Sequence, residues 1–313
     1  MTVTSTAGVI TDVPVLDLTG MATAEELARV REIRDVAVVL VPESLATALM
    51  AIPMTDVADI VAVPDGGQAQ VHTGSLVTSG EGMGDPSAED TVLVVTGTLT
   101  ITSPVQRVAY RRLIVTGLVL APEGSEGALG GAMTRLTGSV EYYRYAEGQR
   151  VVALSGEVDL GAETLANRGG RADDVLLVTG RVVVTGPVRE VGFQRVIARG
   201  QILVPREDEA QLAPVLSAQG QLAWYGGRPR VFTGDHRFGR AFFELFDEPI
   251  GVALLGDVVV DDDVPPELVR DAVTEIALIG TLSASPEVVP VLQYLTTVKH
   301  GTIEVRRGHG DDT

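Results

Sequence analysis

Glycine recurs along this chain at intervals of about 80 residues, and this recurrence limits the fold more than any other feature. Four strand-like runs end in a glycine, and these glycines lie 77, 83 and 76 residues apart, at Gly20, Gly97, Gly180 and Gly256. Four further runs end in a proline, with almost the same spacing, at Pro42, Pro122, Pro205 and Pro286. Two patterns that share one period predict internal repeats.

A third pattern returns in the same order and with the same period. A glycine is followed four residues later by a valine, and a second glycine closes the segment. The four sets are Gly67, Val71, Gly74; Gly148, Val152, Gly156; Gly227, Val231, Gly234; and Gly301, Val305, Gly308. We therefore predict four repeats, at 13–90, 91–173, 174–249 and 250–308, with tails at 1–12 and 309–313.

Each repeat is expected to contain about three turns, with strands of four to six residues and short helices or turns between them. The segment 42–52 illustrates the helical parts, because proline suits the first helical position and an acidic residue follows it. One such turn cannot bury its apolar face alone, so neighbouring turns must stack. The predicted fold is a β-rich α/β repeat solenoid, a single parallel β-solenoid whose strands form one long sheet.

The composition excludes several classes of function. The chain has 24 Lys+Arg against 42 Asp+Glu, a formal net charge of −18, and 45% hydrophobic residues with a mean hydropathy of +0.24. The apolar content is sufficient for a large core. The acidic balance argues against binding nucleic acid or anionic lipid, which require a surplus of basic residues. We expect no nucleic-acid or membrane partner, and the lack of a signal-like start predicts a cytoplasmic protein.

Catalytic patterns are weak. The chain has no cysteine, which excludes disulfides, thiolate catalysis and zinc–sulfur sites. Its four histidines, His72, His236, His300 and His309, lack the helical spacing of a zinc motif, and surface or partly packed roles are expected. The glycine-rich segment 124–131 lacks the Gly-Lys-Ser/Thr ending of a phosphate loop. The sequence predicts no catalytic residue, no cofactor and no metal ion.

Acidic clusters leave an alternative open. Asp261, Asp262 and Asp263 follow a valine-rich strand, and Asp173 with Asp174 opens the third predicted repeat. Such acids could bind calcium weakly or serve a glycosidase. The spacing of a calcium loop is missing, and the segment 264–267 resembles the start of a helix. Solvated acids near helix starts are the favoured interpretation.

Aromatic residues concentrate in one segment, since seven of the thirteen lie within 224–246. Phe238, Ala241, Phe242, Leu245 and Phe246 have the spacing of one helical face, which predicts an amphipathic helix within 235–248. This helix either packs on its own solenoid or binds a partner. The candidate interface residues are Trp224, Tyr225, Phe238, Phe242, Leu245 and Phe246.

Three functions follow from these observations, in order of preference. The first is a non-enzymatic structural or scaffold protein that self-assembles into a homo-oligomer or filament, because solenoid ends present unpaired edges. The second is a protein–protein interaction module that uses the aromatic helix at 235–248. The third is a polysaccharide-acting β-helix enzyme using acids near Asp257 and Asp261–Asp263. The expected partners are the chain itself or another protein.

Overall fold

A computed structural model describes residues 5–6, 8–227 and 229–306. The chain divides into two compact units, Met1–Ala153 and Leu154–Thr313. Both are β-rich, and their strands form four sheets, which we label A to D in chain order. Sheets A and B belong to the first unit, and sheets C and D to the second.

The first unit contains eight strands and four short helices among its described residues. Sheet A comprises β1 (Ser5–Thr6), β2 (Val9–Asp17), β3 (Glu32–Pro42) and β4 (Met54–Val63), and sheet B comprises β5 (Gln68–Thr78), β6 (Thr91–Ile101), β7 (Arg112–Pro122) and β8 (Met133–Tyr143). The helices are α1 (Ala24–Leu27), α2 (Ala46–Leu49), α3 (Gly80–Met83) and α4 (Glu126–Ala132), with 3₁₀ turns at Glu43–Leu45 and Pro86–Ala88.

The second unit repeats this organisation. Sheet C comprises β9 (Val151–Gly161), which begins just before the unit boundary, β10 (Val175–Thr185), β11 (Arg195–Pro205) and β12 (Leu216–Tyr225). Sheet D comprises β13 (Arg230–Thr233), β14 (His236–Phe238), β15 (Ile250–Val260), β16 (Val273–Ala284) and β17 (Thr296–Val305). The helices are α5 (Ala162–Ala166), α6 (Glu209–Leu212), α7 (Arg240–Phe243), α8 (Pro266–Ala272) and α9 (Val289–Leu295), with a 3₁₀ turn at Arg206–Asp208.

Strands that follow one another in the chain are neighbours in the sheet. The pairs run parallel, except that β1 pairs antiparallel with β2. The prediction of one long sheet is wrong, because the chain leaves sheet A through a tight turn in which the Gly67 N–H donates to the Pro64 carbonyl. The predicted strand length is also wrong: most strands have nine to twelve residues, because they continue through the glycine that was expected to end them.

A glycine lies at the same register position in every strand of sheet B. Gly74, Gly97, Gly117 and Gly138 are paired side by side, with φ angles of +97°, +136°, +135° and +145°. A Cβ on Gly97 would overlap the carbonyl oxygen of Gly74, and Gly117 and Gly138 have the same relation to the strand before them. The backbone therefore bends where the strands approach most closely, and only glycine fits there.

Sheets C and D contain the same glycine column, and sheet A replaces it. The columns are Gly156, Gly180, Gly200 and Gly220 in sheet C, and Gly234, Gly256, Gly280 and Gly301 in sheet D. Sheet A has Asp12, Asp35 and Asp56 in successive strands, with φ angles of +58°, +50° and +54°. Aspartate tolerates this left-handed conformation better than most residues.

The predicted repeat boundaries do not coincide with the sheet boundaries. Gly67, Gly148 and Gly227 precede β5, β9 and β13, the first strands of three sheets. Gly301 is instead the column glycine of the last strand, beside Gly280, and Gly20 lies in a turn after β2. The predicted tail 309–313, with Gly308, lies outside the described residues.

The two faces of each strand pack against different layers. In β6, Leu93 and Val95 face the helices of the same sheet and cluster with Leu129 of α4. Val92 and Val94 alternate with them and pack against sheet A. In the second unit, buried residues of sheets C and D form an equivalent cluster, namely Val183, Leu203, Ala223, Tyr225, Ala253, Leu255, Ala277 and Ile279. Alternation of β-branched and other apolar residues thus supplies two cores to one strand.

The glycine column predicts a large loss of stability on adding one methyl group. Gly97→Ala should lower the free energy of unfolding by at least about 3 kcal/mol, because it adds backbone strain and an overlap with Gly74. Urea unfolding measures the change. The matched control is Gly127→Ala in α4, where no described atom lies within 4 Å of the new methyl and stability should not fall. Equal effects of the two substitutions would contradict the close approach.

Candidate functional site

The aromatic segment has a different secondary structure from the predicted one. The helix expected within 235–248 is wrong: residues 236–238 form β14, α7 covers only Arg240–Phe243, and residues 244–249 are not helical. Strand pairing overrides the helical spacing, since His236, Arg237 and Phe238 pair with Val258, Val259 and Val260 of β15. Gly239 then separates the strand from α7.

The aromatic rings pack chiefly on one another and on sheet D. Phe238 stacks on Phe242 with ring centroids 4.0 Å apart, and Phe232 meets both rings edge to face. Phe243 is buried in the core of sheet D, and Phe246 contacts the edge of Phe242. Offset-stacked and edge-to-face pairs are the arrangements that aromatic rings prefer. This packing agrees with the interpretation in which the segment docks on its own chain.

The six predicted interface residues differ widely in exposure. Tyr225 and Phe238 are buried, at 6% and 7%, and belong to the core clusters. Trp224, Phe242 and Phe246 are half-buried. Leu245 is 77% exposed. Leu245, with the adjacent edge of Phe246, is therefore the part of this segment that a partner could reach, and its interface role stays a prediction.

Tyr225 holds the end of sheet C together. Its hydroxyl donates to the Val184 carbonyl oxygen at 2.8 Å, across the strand between them. Burial raises the pKa of Tyr225 to about 12, and the negative charges of Asp208 and Glu207 add to the rise. The same tyrosine, with Glu207, lines a shallow cavity of about 220 Å³ at the carboxyl ends of these strands.

Sheet B uses an equivalent tyrosine, whose relation to Tyr225 the sequence spacing does not reveal. The Tyr143 hydroxyl donates to the Ile101 carbonyl oxygen, also at 2.8 Å, and burial raises its pKa above the ordinary value. In both sheets a buried side chain accepts a hydrogen bond from the backbone nearby: Ser125 from Val105 in sheet B, and Asp208 from Val188 in sheet C. These residues are structural fastenings at the carboxyl ends of the strands.

The raised pKa of Tyr225 predicts a stability that depends on alkaline pH. A pKa raised by folding favours the fold below about pH 10, and this contribution is lost as pH rises towards about 12. Tyr225→Phe should be less stable than the wild type at about pH 8 by about 1–3 kcal/mol, because it leaves the Val184 carbonyl unpaired. By about pH 11 that difference should shrink by about 1.4 kcal/mol.

Urea unfolding at the two pH values measures this change. Tyr294→Phe is the control, because the Tyr294 side chain is 84% exposed and its loss should alter stability little at either pH. A difference between wild type and Tyr225→Phe that stays constant from about pH 8 to about pH 11 would contradict the role given to this hydroxyl.

The acidic cluster at the end of β15 is engaged by arginines. Asp261 lies 2.7 Å from Arg237 and 3.4 Å from Arg306, and Arg306 also contacts Asp262. The backbone N–H of Arg240 donates to Asp263. The carboxyl ends of β14, β15 and β17 bring these groups together, which sequence spacing could not reveal. The carboxylates tie three strand ends to one another by ion pairs and a hydrogen bond.

The other acids and the histidines take part in local contacts. Asp174 accepts hydrogen bonds from Asn167 and from the Arg171 backbone, and Asp173 pairs with Arg171. His236 packs against Phe238. The part of the chain that the structure describes contains no group of three or more His, Asp or Glu suited to a metal ion. His309 lies outside that part.

The remaining histidines lie on edge strands of the sheets. The His300 ring nitrogen is 2.6 Å from the Leu222 carbonyl oxygen on β12. The His72 ring is bonded to Gln70 on β5. Both rings thus serve the strand edges on which they lie.

Strand edges form the second candidate site. Every residue of β5 is exposed or half-buried, and no described strand pairs with its outer side. β17 forms the last strand of sheet D and is likewise exposed or half-buried along its length. An unpaired edge offers backbone donors and acceptors to another strand.

The aromatic segment and the strand edges are thus the two surfaces at which this chain can contact a partner. No helix among the described residues is long and apolar enough to cross a membrane. No protein-family model matches this chain, and no curated protein or solved structure matches it either.

Proposed function

We propose that this chain is a non-enzymatic structural or scaffold protein whose copies associate through the edges of their β-sheets. In this proposal the 20- to 24-residue spacing of the column glycines reflects a repeat solenoid of four units of about 80 residues. The partner is a second copy or another protein, in a cytoplasmic setting, and neither nucleic acid nor a membrane takes part.

The open edges are the observation that carries the proposal. Val77 on β5 and Val305 on β17 are 40% and 49% exposed, although both lie in long strands with regular pairing on their inner side. Natural proteins usually shorten or cover such edges, because these edges recruit further strands. Two long edges that carry exposed valines favour association.

The net charge is compatible with ordered rather than indiscriminate association. A formal charge of −18 makes copies of this chain repel one another at long range. Short-range pairing must then be specific enough to overcome this repulsion, which salt weakens. We therefore expect association to become stronger as ionic strength rises.

Sedimentation velocity over a wide range of protein concentration tests this function. The wild type should show a mass that rises with concentration and with salt. Val77→Lys combined with Val305→Lys should lower the association, because lysine on an edge strand opposes pairing. Tyr294→Lys, at an exposed helical position, is the matched control and should associate as the wild type does. A wild type that stays monomeric throughout would contradict the proposal.

A second candidate is a protein-interaction module at the aromatic segment, favoured by the exposure of Leu245 beside Phe246. Leu245→Lys in the same sedimentation series separates the two. If this substitution abolishes association while the edge substitutions do not, the aromatic segment is the contact surface.

A further inference from the structure

Sheet B differs from the other sheets in having two full-length edges without a cap in the described residues. Its outer strands β5 and β8 have eleven residues each. In sheet A, β1 covers part of β2, and Arg112 donates to the Ala62 carbonyl of β4. In sheet C, His300 reaches the Leu222 carbonyl of β12. In sheet D, the first edge is divided into β13 and β14.

β5 also lacks the usual protection of an exposed strand. Its sequence from Gln68 to Thr78 contains no Asp, Glu, Lys or Arg, although such residues make up 21% of the chain. The open edges β9 and β17 do carry charges, at Glu157, Asp159, Lys299 and Glu304. Charged side chains on an edge prevent unwanted pairing, so their absence from β5 points to an edge that is paired in the assembled protein.

The bend in the strands restricts what can pair with β5. Inside the sheet, the side of each glycine where a Cβ would lie faces the carbonyl of the preceding glycine. At Gly74 no described atom lies within 4 Å of that position, while Gly138 begins no further contact of this kind because no described strand follows β8 in the sheet. The carbonyl of a Gly138 from another copy fits the open side of Gly74.

The polar side chains beside the glycines match across the same junction. Thr73, Thr96, Thr116 and Thr137 form one column in register, and Ser75, Thr98, Leu118 and Ser139 form another. Thr73 and Ser75 on β5 are exposed, as are Thr137 and Ser139 on β8. Pairing of the two edges would place threonine beside threonine and serine beside serine, which are favourable neighbours in sheets.

The apolar column matches as well. Leu76, Leu99, Val119 and Val140 are paired in register on the helix side of the sheet. Its two inner members are buried, whereas Leu76 and Val140 at the ends are only partly buried. Contact between the end residues of two copies would remove this remaining apolar surface from water.

We propose that sheet B continues from one copy of the chain into the next, with β8 of one copy pairing in parallel with β5 of another, Gly138 beside Gly74. The inference rests on the proposed self-assembly and names its surface. The contact is head to tail, because the two edges are different, so repetition produces a filament or a closed ring. The occupant is a second copy, since β8 already carries the matching bend, hydroxyls and apolar residue.

A pair of engineered cysteines tests this register directly, because the chain has none of its own. Ser75→Cys with Ser139→Cys would place the two thiols on directly paired residues of neighbouring copies, at a strand separation of about 4.8 Å that suits a disulfide. Within one copy these residues lie three strands apart, about 14 Å, which is too far. Mild oxidation should produce a ladder of covalent multimers that a reductant removes.

The control is Ser75→Cys with Tyr294→Cys, which pairs one edge thiol with a thiol at an exposed helical site. Its cross-linking should be at least about tenfold lower, because only chance collision brings its thiols together. A second test uses charge. Ser75→Glu with Ser139→Glu should lower the associated fraction, and Ser75→Lys with Ser139→Glu should restore it.

The outcomes separate this inference from the function on which it rests. Association in sedimentation without preferential linkage between the thiols introduced in place of Ser75 and Ser139 overturns the β8–β5 contact and leaves self-assembly intact. A wild type that never associates overturns both. A cross-linked ladder together with the rescue by opposite charges supports the contact.

Discussion

The approach of one backbone to the next at the column glycines is the constraint on which the rest of the structure depends. At this point each strand bends, and the missing side chain of one glycine makes room for the carbonyl of the glycine before it. The bend lets each long strand present apolar residues to helices on one face and to a neighbouring sheet on the other. Since every member must fit the strand beside it, the column is a property of the whole sheet.

The sequence predicts the β-rich class, the parallel strands and the approximate period, because these depend on local composition and regular spacing. It also indicates Gly74, Gly156 and Gly234 as related positions, and the structure places the first two in, and the third just after, the first strand of a sheet. It does not predict that strands continue through these glycines. A glycine followed by apolar residues is consistent with either a strand end or a bend, and only pairing with the next strand distinguishes them.

The candidate sites show the same limit. Helical spacing within 235–248 is real, but pairing of β14 with β15 and the glycine at 239 override it. The equivalence of Tyr143 and Tyr225 was hidden, since they act on carbonyls 42 and 41 residues away that sequence alone does not place nearby. Likewise, the arginines that engage Asp261 come from β14 and from the end of β17. Long-range contacts of side chains depend on the fold and could not be read from spacing.

Column glycines lie between 20 and 24 residues apart within sheets B, C and D, whereas the paired segments around them keep one register. The variation in length therefore falls in the helical and turn segments that join the strands. Insertions and deletions during evolution should be accepted there and rejected in the strands, because one added residue in a strand would displace its glycine from the column. The same segments are the places where a foreign peptide could be inserted for display without disturbing the sheets.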